Sequence, residues 1–128
     1  MSETIKMHGR LLLFDIVDEC NWMIPKDCKI EYPEKVPFLN RITDYNNASA
    51  VVGNATIYKD DLGLVCDVNL YETLNDGNLH IGGIFRNSVF HGDNGIRVFD
   101  EINIYGIGII YNPANEEYKL NVVEEREE

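Results

Sequence analysis

Residues 95–115 read GIRVFDEINIYGIGIIYNPAN. A glycine opens a charged arm, Arg97-Val98-Phe99-Asp100-Glu101, and the arm runs into Ile102-Asn103-Ile104-Tyr105-Gly106-Ile107-Gly108-Ile109-Ile110-Tyr111. Apolar residues at alternating positions over such a length are the mark of a strand with one buried face. Asn112-Pro113-Ala114-Asn115 then stops it, because proline cannot donate to a strand ladder and asparagine tolerates tight turns.

The same pattern recurs upstream. Leu64, Cys66, Val68 and Leu70 share one face of a strand over residues 64–71, while Asp67 and Asn69 point the other way. Residues 50–59, AVVGNATIYK, form its partner, with Val52 starting one face and Val51 the other. Asp60-Asp61-Leu62-Gly63 is the turn between them, with Gly63 free to take positive φ. Further turns are read at Asn75-Asp76-Gly77-Asn78 and at His91-Gly92-Asp93-Asn94-Gly95. Strands are predicted over 5–14, with Ile5, Met7 and Gly9 on one face, over 28–32 between Pro25 and Pro33, and over 118–123. Another covers 79–86, where Gly82-Gly83 signals a bulge or a close backbone approach. Residues 15–20 allow one helical turn, and helical periodicity is weak elsewhere. The expectation is an all-β fold with little helix: a partly open antiparallel barrel of six to eight strands. Residues 1–123 make one β domain, and 124–128 an acidic tail.

Composition removes several classes of function. The net charge of −11 repels nucleic acid phosphates and leaves no basic stripe, so no nucleic acid partner is expected. No apolar run approaches the ~20 residues that cross a bilayer, and the N-terminus lacks the apolar core of a signal peptide. The expectation is a protein made in a cytosol, with no membrane partner. Cys20, Cys28 and Cys66 form no Cys-x-x-Cys pair, and Cys66 reads as a small buried hydrophobe. There is no glycine-rich phosphate loop, no dinucleotide fingerprint and no metal-ligand spacing, so neither cofactor nor metal is expected.

Five segments, in order, resemble the tailed-phage prohead proteases, which mature viral capsids. Val36-Pro37-Phe38-Leu39 is similar to that family's "VPLLWQHD" strand, and Val52-Gly53-Asn54-Ala55-Thr56-Ile57 to its next strand. Asp60-Asp61-Leu62-Gly63-Leu64 resembles its "DDxGLYVEG" hairpin, and Leu79-His80-Ile81-Gly82 its "LSIGF" strand. Arg97-Val98-Phe99-Asp100-Glu101-Ile102 with Asn112-Pro113-Ala114-Asn115 resembles its last core strand and turn. The resemblance implies the barrel of that family and a serine nucleophile served by a histidine base. Here the serine position holds His80, and the histidine position falls at about Ile42, near Arg41, Thr43 and Asp44. Imidazole cannot replace the serine oxygen, and an isoleucine has no lone pair. The family's helix before the serine strand is replaced by residues 71–78, room for a turn only.

No catalytic residue is therefore assigned. Ser88 and His91 lie three apart, but that stretch heads into a polar turn and reads as a solvated loop. His8, His80 and His91 have no metal-site spacing, and Asp15, Asp18 and Glu19 read as a solvated acidic loop. Trp22, the sole tryptophan, is followed by Met23, Ile24 and Pro25, an apolar cluster in an irregular region. Trp22 is either a core plug or an exposed anchor. Trp22, Met23 and Ile24 are the candidate partner-binding residues.

The resemblance without the chemistry points to a non-catalytic, virion-associated auxiliary protein of a tailed phage, one that decorates or stabilises the capsid. Its partners would be the major capsid protein or other virion proteins, with homo-oligomerisation left open and the virion as its location. The alternatives are a maturation serine protease with a displaced dyad, or an acidic phage inhibitor of a host DNA-binding enzyme.

Overall fold

The computed structural model describes residues 5–40, 51–71, 79–110 and 115–122. In chain order the strands are β1 (Ile5–Leu13), β2 (Trp22–Met23), β3 (Lys29–Glu31), β4 (Lys35–Leu39), β5 (Val51–Lys59), β6 (Gly63–Leu70), β7 (Leu79–Asp93), β8 (Ile96–Ile109) and β9 (Lys119–Val122). No helix occurs among the described residues, and residues 15–20 form turns and loop instead of a helical turn. The turn read at 75–78, the stop at 112–114, position 42 and the acidic tail lie outside the described residues.

The alternation read in β6 is realised. Leu64, Cys66, Val68 and Leu70 are each at most 1% exposed, and the intervening Asp67 and Asn69 are half-buried on the other face. β5 and β1 flank β6 antiparallel, with Ile57 opposite Cys66 and Gly9 opposite Cys66 on the far side. Asp60 closes the β5–β6 turn, since its carboxylate accepts the N–H groups of Leu62 and Gly63 at 3.0 and 2.8 Å. Arg10 of β1 forks onto the same carboxylate at 2.8 and 2.9 Å. The hydrogen bonds from that guanidinium come first and, against the opposing effect of burial and with help from the two N–H groups, hold the Asp60 carboxyl well below the usual carboxylate range.

Gly63 is needed for a different reason from the one read in the sequence. Its φ is not positive; a Cβ there would sit 2.0 Å from the Leu12 carbonyl oxygen. The glycine lets β6 lie against β1, and the turn itself is shaped by Asp60.

Seven strands close a barrel in the order β8-β4-β5-β6-β1-β9-β7 and back to β8. The barrel is thus as read, but the sheet is mixed and closed, not purely antiparallel and partly open. The cause is the stretch from β2 to β4. It runs along β8 in the same direction as an interrupted strand, pairing Trp22 with Arg97, Ile30 with Ile102 and Phe38 with Ile107. Pro25 and Pro33 fall in the two interruptions, where a missing N–H costs no ladder bond.

β8 also changes face part-way. Ile102 and Ile104 are buried, and then Ile107 and Ile109 are buried at the opposite parity. The register with β7 steps from Ile84 opposite Gly106 to Phe85 opposite Ile104, leaving Tyr105 as an extra residue. This bulge lets one strand serve the barrel interior on both sides of it, and it turns Tyr105 outward at 43% exposure.

Candidate functional site

Past the barrel, β7 and β8 continue as a hairpin arm. Its turn is two residues, Asn94 (φ 52°) and Gly95 (φ 84°), the pair favoured where both positions take positive φ. The turn is shorter than the five residues read in the sequence, and Ser88 and His91 belong to strand β7, not to a solvated loop. Counting back from it, Asp93 faces Ile96, Gly92 faces Arg97, His91 faces Val98 and Phe90 faces Phe99. Asn87 takes φ 53° where β7 slips register between Arg86 and Val89, which bends the arm at its base.

The arm is built around Phe99, which is buried. The rings of Trp22, Phe90 and Phe85 approach it at centroid distances of 5.2, 5.7 and 6.4 Å, mostly edge-on. The Arg97 guanidinium lies 4.1 Å over the Phe90 ring and 5.4 Å over the Trp22 ring, so one cation is shared by two aromatic faces. Arg86 lies over Tyr105 at 5.2 Å. Val89 and Phe90 are about half exposed (50% and 47%), although both are large and apolar. The result is a cluster of Trp22, Phe90 and Arg97 about Phe99, with Arg86 and Tyr105 as a second stacked pair, on an otherwise acidic chain.

The three candidate residues divide. Trp22 and Met23 form β2, so they are strand and not loop, and Trp22 and Ile24 pack against the core cluster while remaining half-buried. Trp22 therefore plugs one side of the arm with part of its ring still accessible. Sequence reasoning did not pick out Arg97, Phe90 and Phe99. The Asn94-Gly95 pair was the available signal, since a two-residue turn there places Phe90 opposite Phe99.

Each histidine meets its own carboxylate. His8 Nδ1 lies 2.7 Å from Asp67 Oδ1, and the Tyr58 hydroxyl donates to Asp67 Oδ2 at 2.5 Å. Burial raises the Asp67 carboxyl, but the hydrogen bonds from Tyr58 and His8 outweigh it and leave it below its ordinary value. His80, at the position matched to the serine, lies 3.1 Å from Glu116 through Nε2. His91 Nδ1 lies 2.8 Å from Asp100 Oδ2 across the arm. No group of three such side chains with metal-holding geometry occurs among the described residues. Asp18 and Asp15 instead staple their loop: Asp18 Oδ1 accepts from the Cys20 and Trp22 N–H groups, and Asp15 Oδ1 from Lys26 N–H. Cys28 and Cys66 are buried, and burial above all pushes their thiols up to about 11 and about 12, so both stay protonated and unreactive.

The hydrogen bond to Asp100, then its charge, raises the His91 pKa. The raised value means the ion pair is complete below the ordinary histidine pKa and lapses as pH climbs through the raised one. A proton NMR titration will therefore place the His91 midpoint above 6.5. Asp100→Asn will bring it down, and an unchanged midpoint in that variant would disprove the pairing.

Comparison with family models, with curated proteins and with solved structures returned no match.

Proposed function

We propose that this chain is a non-catalytic binding protein, a virion-associated auxiliary component of a tailed phage that docks on capsid protein through the β7–β8 arm. The observation that carries the reading is the half-exposed Phe90 with the Arg97 guanidinium laid over its ring on the arm. Aromatic residues and arginine dominate the energetics of protein interfaces, and monomers seldom leave such side chains together in water. The capsid as partner comes from the five-segment resemblance and from nothing else in the molecule. At the position matched to the nucleophile, the resemblance meets His80 paired with Glu116 in place of a serine.

The test is made on particles of the phage that encodes the chain. Mass spectrometry of purified mature virions will find the chain at a fixed ratio to the major capsid protein. Phe90→Ala will weaken its binding to empty capsids by at least about tenfold, the loss usual for an interface anchor. The unfolding midpoint will stay near that of the parent, because Phe90 is half exposed. Virions that lack the chain, or a Phe90→Ala protein that binds with parental affinity, would rule the reading out. Phe90→Ala is cleaner than a charge at Trp22, because Trp22 packs half-buried against the core cluster whereas Phe90 is an exposed residue.

One observation favours a second reading. The His91–Asp100 pair is an imidazole oriented by a carboxylate, as a catalytic base would be, while Ser88 lies three residues along the same strand and would have to be brought round to it. A maturation protease with that displaced dyad would cleave capsid precursor and lose the activity in Ser88→Ala.

A further inference from the structure

β9 is four residues long and bridges β1 and β7 only near one end, pairing with residues 7–9 and with residues 79–80. Beyond it, β1 and β7 have no strand between them. The gap is a cleft of about 240 Å³. Its walls are Leu11 and Leu12 of β1 and Ile81 and Phe85 of β7, and the loop carrying Asp18 and Cys20, with Trp22 of β2, lines a third side. Apolar cavities of about 150 Å³ already hold a benzene-sized molecule, so this one has room for a ring or a short chain.

The charge on the cleft lining itself is negative; Arg97, the cation beside Trp22, is stacked between Trp22 and Phe90 in the arm. Among the described residues Asp18 is the sole charged residue lining the cleft, and no lysine, arginine or histidine lines it. Asp18 is half-buried, and its Oδ1 is committed to the N–H groups of Cys20 and Trp22 at 2.8 and 3.0 Å. Oδ2 has no hydrogen-bond partner among the described residues. A carboxylate-headed amphiphile would meet Asp18 and a net charge of −11 as repulsion, whereas an ammonium would meet both as attraction. A neutral amphiphile would gain only from burying its chain.

We infer that this cleft binds a small hydrophobic cation, an alkyl- or arylammonium. Its apolar body lies against Leu11, Leu12, Ile81 and Phe85, and its ammonium sits on Asp18 Oδ2. The cleft shares Trp22 and Phe85 with the aromatic cluster of the arm, but its ammonium seat at Asp18 and the arm residues Phe90 and Arg97 are different groups, so each proposal has its own test.

The chain carries its own reporter. Trp22 is the sole tryptophan and lines the cleft, and Cys20 is an exposed cysteine at the same place. The intact protein is titrated with hexylammonium, 1-hexanol and hexanoate while Trp22 emission and the rate of Cys20 labelling by a small maleimide are followed. Hexylammonium will shift the emission saturably and slow the labelling, with a Kd at least tenfold below that of hexanol, and hexanoate will do neither. Asp18→Asn keeps an acceptor for the two N–H groups and will abolish the tenfold preference. Equal binding of hexanol and hexylammonium would overturn the assignment of a cation. No saturable change with any probe would overturn the site itself. The ranking on the unaltered chain decides the matter whether or not the variant folds.

Discussion

Phe38→Ala will destabilise the barrel by about 3–5 kcal/mol, the usual cost of emptying a fully buried phenylalanine site. Phe38 is 0% exposed, and its strand β4 stands between β5 and β8, with Gly53 opposite on one side and Ile107 on the other. The ring thus fills the interior where the barrel closes, next to Ile107, itself fully buried. A domain of this size has about 5–15 kcal/mol in total, so the loss takes a large fraction of it. Urea unfolding followed by circular dichroism measures the effect as a lowered midpoint at unchanged slope. A loss below about 1 kcal/mol would mean that the ring is not packed at the closure, since that is less than any full truncation of a buried aromatic.

Gly63→Ala will cost about 3 kcal/mol, the upper end of the range for overpacking. The added Cβ would lie 2.0 Å from the Leu12 carbonyl oxygen and 2.8 Å from the Leu13 Cα. Both are backbone atoms of β1, held by pairing to β6, so no side chain can swing aside. The strands must separate at the point where Asp60 and Arg10 tie the turn to β1. Gly92→Ala is the control, because nothing lies within 4 Å of a Cβ there. On the exposed arm that change will be neutral to slightly stabilising. Equal melting temperatures for the two variants would refute the close approach at Gly63.

Much of this was legible in the residues, for a physical reason. Antiparallel neighbours joined by short turns leave two local signs, an alternating face and a turn motif, and β5, Asp60 and β6 display both. The β2–β4 stretch has no turn motif, and only residues 28–32 within it read as a strand from the residues themselves. Its partner β8 is distant in sequence and parallel, so no turn announces the pairing, and Trp22-Met23-Ile24 reads as loose loop when Trp22 and Met23 are strand and Trp22 and Ile24 pack on the core. The face change in β8 was hidden in a similar way. Residues 102–111 look like one alternation, and only the register with β7 reveals that Tyr105 is an extra residue. The arm was nearer to hand. Asn94-Gly95 was readable as a two-residue turn, and taking all of residues 91–95 as turn obscured the Phe90–Phe99 pair. The cleft at Asp18 had no sequence signal at all, because it exists only where β9 ends short of its neighbours.

The interrupted strand along β8 has a kinetic consequence. Chain segments near the start and the end of the sequence must meet before the ring of strands is complete, and nothing local rewards that meeting in advance. Folds dominated by such distant pairings acquire their structure in milliseconds to seconds, not microseconds. Until Phe38 settles beside Ile107, β4 and β8 each show a bare row of amides to solvent and to other copies of the chain. In the finished ring those two rows face each other, and refolding at high protein concentration becomes a race between closing on itself and pairing with a neighbour.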